Sequence, residues 1–180
     1  MERCRLVFSG SGGQGVITAA IILAEAAVLY DNLTAVQSQV YGPAARGGAT
    51  RTDVIISESN INYPKVVQPN ILVCLTQEAY NKYYPIIRPG GILITDNRFV
   101  KIQRKVDAQQ KELPMYRNVM EKIGKPIVFN ICMLGAVIEL TKLVKADSIM
   151  EALKDRIPAG FIEMNQQALN LGMALGTETM

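Results

Sequence analysis

Residues 8 to 15 read Phe-Ser-Gly-Ser-Gly-Gly-Gln-Gly, and the chemistry open to such a cluster is anion binding. An apolar run, Leu6 to Phe8, enters it, and a second, beginning at Val16-Ile17, leaves it. That order predicts strand, tight turn, helix. A helix opening on glycines leaves its first N–H groups bare. Those groups, with the positive end of the helix dipole, attract a phosphate or another anion. Gly10, Gly12 and Gly15 also satisfy the G-x-G-x-x-G spacing of dinucleotide folds, with Ser11, Gly13 and Gln14 completing the turn. The competing reading is a glycine turn that only lets helix and strand pack closely.

A second cluster is Tyr41-Gly-Pro-Ala-Ala-Arg-Gly-Gly48. Pro43 stiffens it, while Gly42, Gly47 and Gly48 permit unusual turns and let another surface come close. Arg46 has no acid within its own loop. It can clamp a phosphate or carboxylate in bidentate fashion, or pair with an acid elsewhere in the chain or on a partner. Both clusters are expected at the carboxyl ends of adjacent strands, where open α/β sheets hold ligands.

Other chemistries find little support. An NAD site wants an acid at the end of the second strand, and that position reads Gln37-Ser38-Gln39. NADP would need Arg46 on its 2′-phosphate. The chain has no histidine, which removes the Ser–His–Asp and Cys–His devices and most zinc sites. Cys4, Cys74 and Cys132 are scattered, so one chain cannot hold a four-cysteine cluster, and Cys74 and Cys132 read as inert core thiols. Asp53 and Asp96 form no spaced pair. Asp96, with Asn97, reads as a cap or turn former, and no catalytic residue and no metal site are expected.

The elements that position these residues follow from periodicity. Strands are predicted at about Arg5–Ser9, Thr34–Gln39, Thr50–Ser57, Ile71–Leu75, Ile92–Thr95 and Ile127–Phe129. Helices are predicted at about Gln14–Tyr30, Gln77–Tyr84, Met115–Ile123 and Ile131–Leu140, the last buried on nearly every side. Residues 98 to 114 are polar and aperiodic. Ser148 and Glu151 have capping-box spacing at the next helix. In the final helix Phe161, Met164, Ala168, Leu171 and Leu175 make one apolar stripe, with Asn165, Gln166 and Asn170 away from it.

The chain has 180 residues, 49 % apolar and 19 % charged, which fits one domain spanning residues 1–180. The predicted class is a three-layer α/β/α domain with a mostly parallel, Rossmann-like sheet. A net charge of +3, with no basic stripe, argues against nucleic acid, and no apolar run suits a membrane span. The start, Met-Glu-Arg-Cys-Arg, has no leader pattern, so a cytoplasmic location is expected.

The residues also carry a family resemblance. Phe8–Gly15, Leu23-Ala-Glu-Ala-Ala27, Tyr41–Gly48, Asp53-Val-Ile-Ile-Ser57, Tyr63-Pro-Lys65, Leu75–Tyr80 and Pro89–Ile94 together resemble the gamma subunit of 2-oxoacid:ferredoxin oxidoreductases, best the small 2-oxoglutarate type. The resemblance implies a non-catalytic gamma subunit, with an isolated chain that turns nothing over. It implies catalytic alpha and beta subunits and a ferredoxin-like subunit as partners. Thiamine diphosphate and iron–sulfur clusters would sit on those sister chains, coenzyme A would be co-substrate, and ferredoxin the acceptor. Carried over residue by residue, Gly10, Ser11, Gly12, Gly13, Gln14 and Gly15 become the anion-facing turn, with Arg46 beside it. Tyr41, Gly42, Pro43, Arg46, Gly47 and Gly48 become the loop at the subunit interface. Alternatives are an indolepyruvate-type subunit and a stand-alone NADP- or flavin-binding protein. An uncovered sheet edge or apolar helix face would point to a homodimer of the isolated chain.

Overall fold

Alternation along the central strands sets the layers. In β1 (Cys4–Gly10), Leu6 and Phe8 belong to one apolar cluster and Val7 to the other, and all three are fully buried. The same split recurs in β3 (Thr50–Ser57), with Val54 and Ile56 against Ile55, and in β4 (Ile71–Cys74), with Ile71 and Val73 against Leu72 and Cys74. Strands buried on both faces require cover on both sides. The computed structural model describes residues 3–40 and 49–179.

The sheet has six strands in the order β2-β3-β1-β4-β5-β6, where β2 is Thr34–Val40, β5 Gly91–Asp96 and β6 Ala108–Leu113. β3 runs antiparallel to both neighbours, and the pairings β1–β4, β4–β5 and β5–β6 are parallel. One face carries α1 (Val16–Leu29), α3 (Met115–Lys122), α4 (Phe129–Thr141), α5 (Ala146–Lys154) and α6 (Ile162–Thr177). The other carries α2 (Gln77–Tyr83), with Val66, Ile87 and Val100 from connecting segments. The three-layer, mostly parallel class follows from these pairings.

Several local expectations are corrected. β3 lies between β1 and β2, so the two glycine-cluster strands are not adjacent. Their carboxyl ends still share one edge, because Gly10 pairs with Thr50 and Val40 with Arg51. The segment read as aperiodic contains β6. As an edge strand it buries only Leu113, so its sequence shows no apolar alternation. The short strand expected near Ile127 is a 3-10 turn, Pro126–Val128, leading into α4. The stripe on α6 is also rotated. Asn165, Ala168, Leu169, Gly172, Leu175 and Gly176 are buried, while Phe161 is 51 % exposed.

The capping box on α5 does not form. Its cap comes from 114 residues away: the Asp31 carboxylate accepts the Lys145 N–H at 2.8 Å, and the Ser148 hydroxyl donates to it at 2.7 Å. Spacing within the helix could not reveal a partner in the turn after α1. Asp31→Ala should lower stability by about 1–2 kcal/mol, since it strips a buried cap. Urea denaturation checks this, and an unchanged midpoint would refute the cap.

Candidate functional site: the glycine turn at the carboxyl edge

β1 delivers the turn in a fixed position. The Leu75 N–H donates to the Ser9 carbonyl at 2.9 Å, and the Ser9 hydroxyl donates to the Thr50 carbonyl at 2.9 Å. Gln14 then folds back over the strand end. Its Oε1 accepts the Ser11 N–H at 2.8 Å and its Nε2 donates to the Leu75 carbonyl at 3.2 Å. Gly10 is what permits this, because a Cβ there would lie 2.5 Å from Gln14 Oε1. The structure therefore uses Gln14 and the Ser11 N–H to build the turn.

Ser11, Gly12 and Gly13 are exposed. Gly13 and Gly15 adopt φ values of 86° and 71°, the left-handed region that favours glycine. The N–H groups of Gly12, Gly13 and Gly15, and those of the first turn of α1, find no acceptor among the described residues. No side chain caps α1 and no acid sits in its first turn. Successive unengaged N–H groups at a helix start form an anion cradle.

Asn130, on the first turn of α4, is a site residue that sequence reasoning missed. It is 8 % exposed and presses on Gly15, where a Cβ would lie 2.6 Å from its Nδ2. Nδ2 lies 3.4 Å from the Gly15 carbonyl, and Oδ1 has no hydrogen-bond partner among the described residues. A cavity of about 390 Å³ runs from Gly13, Gly15 and Thr18 past Asn130 to Ile127 and Phe161. Ile127 and Phe161, 76 % and 51 % exposed, stand at its walls. The edge thus sets a row of unengaged N–H groups beside a largely apolar slot, with the Asn130 side chain, its Oδ1 buried, in the lining. In the sequence, Asn130 is a lone amide in an apolar run, and only the fold brings it to Gly15.

The remaining candidates are accounted for. Tyr41, Gly42, Pro43, Arg46, Gly47 and Gly48 lie outside the described residues. Asp53 pairs with Arg51 through bonds of 2.7 and 2.9 Å, and Arg51 also donates to the Val66 carbonyl. Asp96 is fully buried and accepts N–H bonds from Arg98 at 2.9 Å and Tyr116 at 2.7 Å, so it forms the turn after β5 and caps α3, as its position suggested. Burial raises its pKa, while those N–H bonds and the Arg98 charge hold it partly down. A carboxyl raised by folding favours the native state most when protonated, so its contribution falls as pH rises through its folded pKa. Among the described residues, no group of three His, Cys, Asp or Glu could hold a metal ion. No helix among them is long and apolar enough to cross a membrane.

Burial pushes the Cys132 thiol up to about 12 and the Cys4 thiol up to about 11, and raises Cys74 further still. Thiols kept neutral are poor nucleophiles. A maleimide dye at about pH 8 should label the native chain slowly and all three cysteines after unfolding. Rapid native labelling of Cys74 or Cys132 would contradict the core reading.

Comparison with known proteins settles the family. Residues 5–175 match the family described as pyruvate ferredoxin/flavodoxin oxidoreductase. The chain belongs to that family. It is 45 % identical over 178 residues to the 2-oxoglutarate synthase subunit KorC of Methanocaldococcus jannaschii, covering 98 % of this chain and 95 % of that protein. The crystal structure of a keto/oxoacid ferredoxin oxidoreductase gamma subunit from Geobacter sulfurreducens superposes with a TM-score of 0.91 at 37 % identity, covering 99 % of both chains. A 2-oxoglutarate:ferredoxin oxidoreductase from Magnetococcus marinus, solved with 2-oxoglutarate, coenzyme A and succinyl-CoA bound, shares the fold at 20 % identity, with a TM-score of 0.88 over 32 % of its chain. Within this family the chain is a gamma-type subunit of a 2-oxoacid:ferredoxin oxidoreductase, part of a multi-subunit complex.

Proposed function

We propose that the chain serves a complex that oxidatively decarboxylates 2-oxoglutarate to its acyl-CoA, and that its glycine turn holds a phosphate of coenzyme A. The observation that carries this reading is the array of N–H groups of Gly12, Gly13 and Gly15, unengaged among the described residues, at the start of α1. Its ligand preference follows from charge, because a phosphate placed there meets several donors and the helix dipole together. The slot between Ile127 and Phe161 suits a less polar arm attached to that phosphate. Coenzyme A supplies the thiol that accepts the acyl group. This chain's part is to bind and orient.

Thiamine diphosphate and iron–sulfur clusters belong, in this reading, to catalytic alpha and beta subunits and a ferredoxin-like subunit, with ferredoxin as acceptor. The absence of histidine and the scatter of three cysteines support that division. Arg46 and the loop Tyr41, Gly42, Pro43, Gly47 and Gly48 are proposed to meet the catalytic subunits. The register places that loop's entry and exit strands at the same edge as the turn.

The dinucleotide reading is weaker on geometric grounds. With β3 interposed, the end of β2 stands two strand spacings from β1, about 10 Å, not one. A ribose-binding group there would miss a nucleotide seated on the turn. The test is a panel of 2-oxoacids on the assembled complex, with and without coenzyme A. Preference for 2-oxoglutarate with strict coenzyme A dependence is expected. Preference for an aromatic oxoacid would replace the substrate assignment with the indolepyruvate type.

A further inference from the structure

The opposite edge of the sheet carries a feature the glycine turn does not explain. Arg5 at the start of β1, Lys65 in the segment before β4, and Arg88 before β5 line one cavity of about 510 Å³. Among the described residues no acid lines it, and none of the three cations has an ion-pair partner. Their formal charge equals the net charge of the whole chain, +3. Two large apolar side chains stand in the same lining, Tyr63 at 58 % and Val67 at 69 % exposed.

The platform is rigid. Val66 between Lys65 and Val67 is buried, and its carbonyl accepts from Arg51 at 2.8 Å. That leaves its two neighbours facing outward, as alternation in extended chain requires. Arg5 and Asn70 exchange two bonds, Arg5 N–H to Asn70 Oδ1 at 3.0 Å and Asn70 N–H to the Arg5 carbonyl at 2.7 Å. The Arg88 N–H donates to the Pro69 carbonyl at 3.1 Å. Backbone order is therefore already in place, and binding would need to fix only side chains.

We infer that this basic cavity is a docking surface for an extended acidic segment of a protein partner that carries at least one apolar side chain. Charge complementarity selects the acid, since clustered cations without counter-charges gain most from carboxylates. Tyr63 and Val67 select a protein segment over a bare anion, because exposed aromatic and aliphatic surface beside cations gives an apolar anchor somewhere to pack. A nucleic acid would need a basic stripe continuing beyond the cavity, and the sequence has none. The surface lies at the amino edge of the sheet, so it is free to act while the glycine turn is occupied, and it stands independently of that turn's ligand.

The test uses the full chain and a fluorescein-labelled peptide of three Glu-Glu-Leu repeats, read by anisotropy. Lys65→Glu with Arg88→Glu should weaken binding at least about tenfold, and Tyr63→Ala with Val67→Ser about fivefold. Both pairs are exposed, and circular dichroism checks that they fold. A Lys-Lys-Leu peptide should bind at least tenfold more weakly than the acidic one. Affinity unchanged by the charge reversal would overturn the proposal. So would equal binding of a Glu-Glu-Ser peptide, or inorganic phosphate binding as tightly as the peptide, which would make this a small-anion site.

Discussion

Gly172→Ala is expected to destabilise the fold severely. α4 and α6 cross with their backbones in contact. A Cβ on Gly172 would fall inside the Cys132 carbonyl oxygen, and one on Gly135 inside the Leu169 carbonyl oxygen. Neither obstacle is a flexible side chain, so the helices must separate for the methyl to fit. α4 is buried from Phe129 through Glu139, and separating it from α6 opens the core beneath. Overpacking in a core costs about 1–3 kcal/mol when neighbours can adjust. Against two fixed backbones about 3–5 kcal/mol is expected, a large share of the 5–15 kcal/mol typical of a domain. Gly160→Ala is the control. Among the described residues nothing lies within 4 Å of its Cβ position and its backbone is not left-handed, so its change should stay within about 0.5 kcal/mol. Thermal melts of both variants check this. Equal melting temperatures would mean that the helices do not cross through these glycines.

Gly12→Asp is expected to spare the fold and damage function. Among the described residues no atom lies within 4 Å of the Gly12 Cβ position, and its φ is not in the left-handed region, so a side chain fits there. The new carboxylate would sit in the N–H array at the start of α1, where it is itself stabilised by the dipole. It would then compete with and repel a phosphate. In the assembled complex the KM for coenzyme A should rise about tenfold or more, with a smaller change in kcat. Gly12→Asn adds nearly the same bulk without charge and should have the lesser effect. Equal effects of Asp and Asn would make the disturbance steric. No effect of Asp would remove coenzyme A phosphate from the turn.

Much of this architecture was legible because it rests on local signals. The turn at Gly10–Gly15, the end of α1 near Tyr30 and the buried α4 each follow from residue type and period. What was hidden depends on distant partners. The Asp31 cap joins segments 114 residues apart. β6 is an edge strand whose polar sequence hides it. The interposed β3 reverses direction, which no periodicity records. The same holds at the site. The glycines mark the tight turn before α1, while Asn130 and the slot beside it arise from packing α4 against Gly15. Phe161 read as core because it fits the spacing of α6, yet it stands in the wall of that slot.

The most direct test of the central claim is reconstitution under argon. The sister subunits are assayed for 2-oxoglutarate- and coenzyme A-dependent reduction of a viologen dye, with and without this chain, and the chain is assayed alone. No turnover by the chain alone, co-purification with iron-bearing partners, and coenzyme A-dependent reduction only when the chain is present are expected. Full activity of the sister subunits without it, or failure of the chain to associate with them, would contradict its role as their gamma subunit.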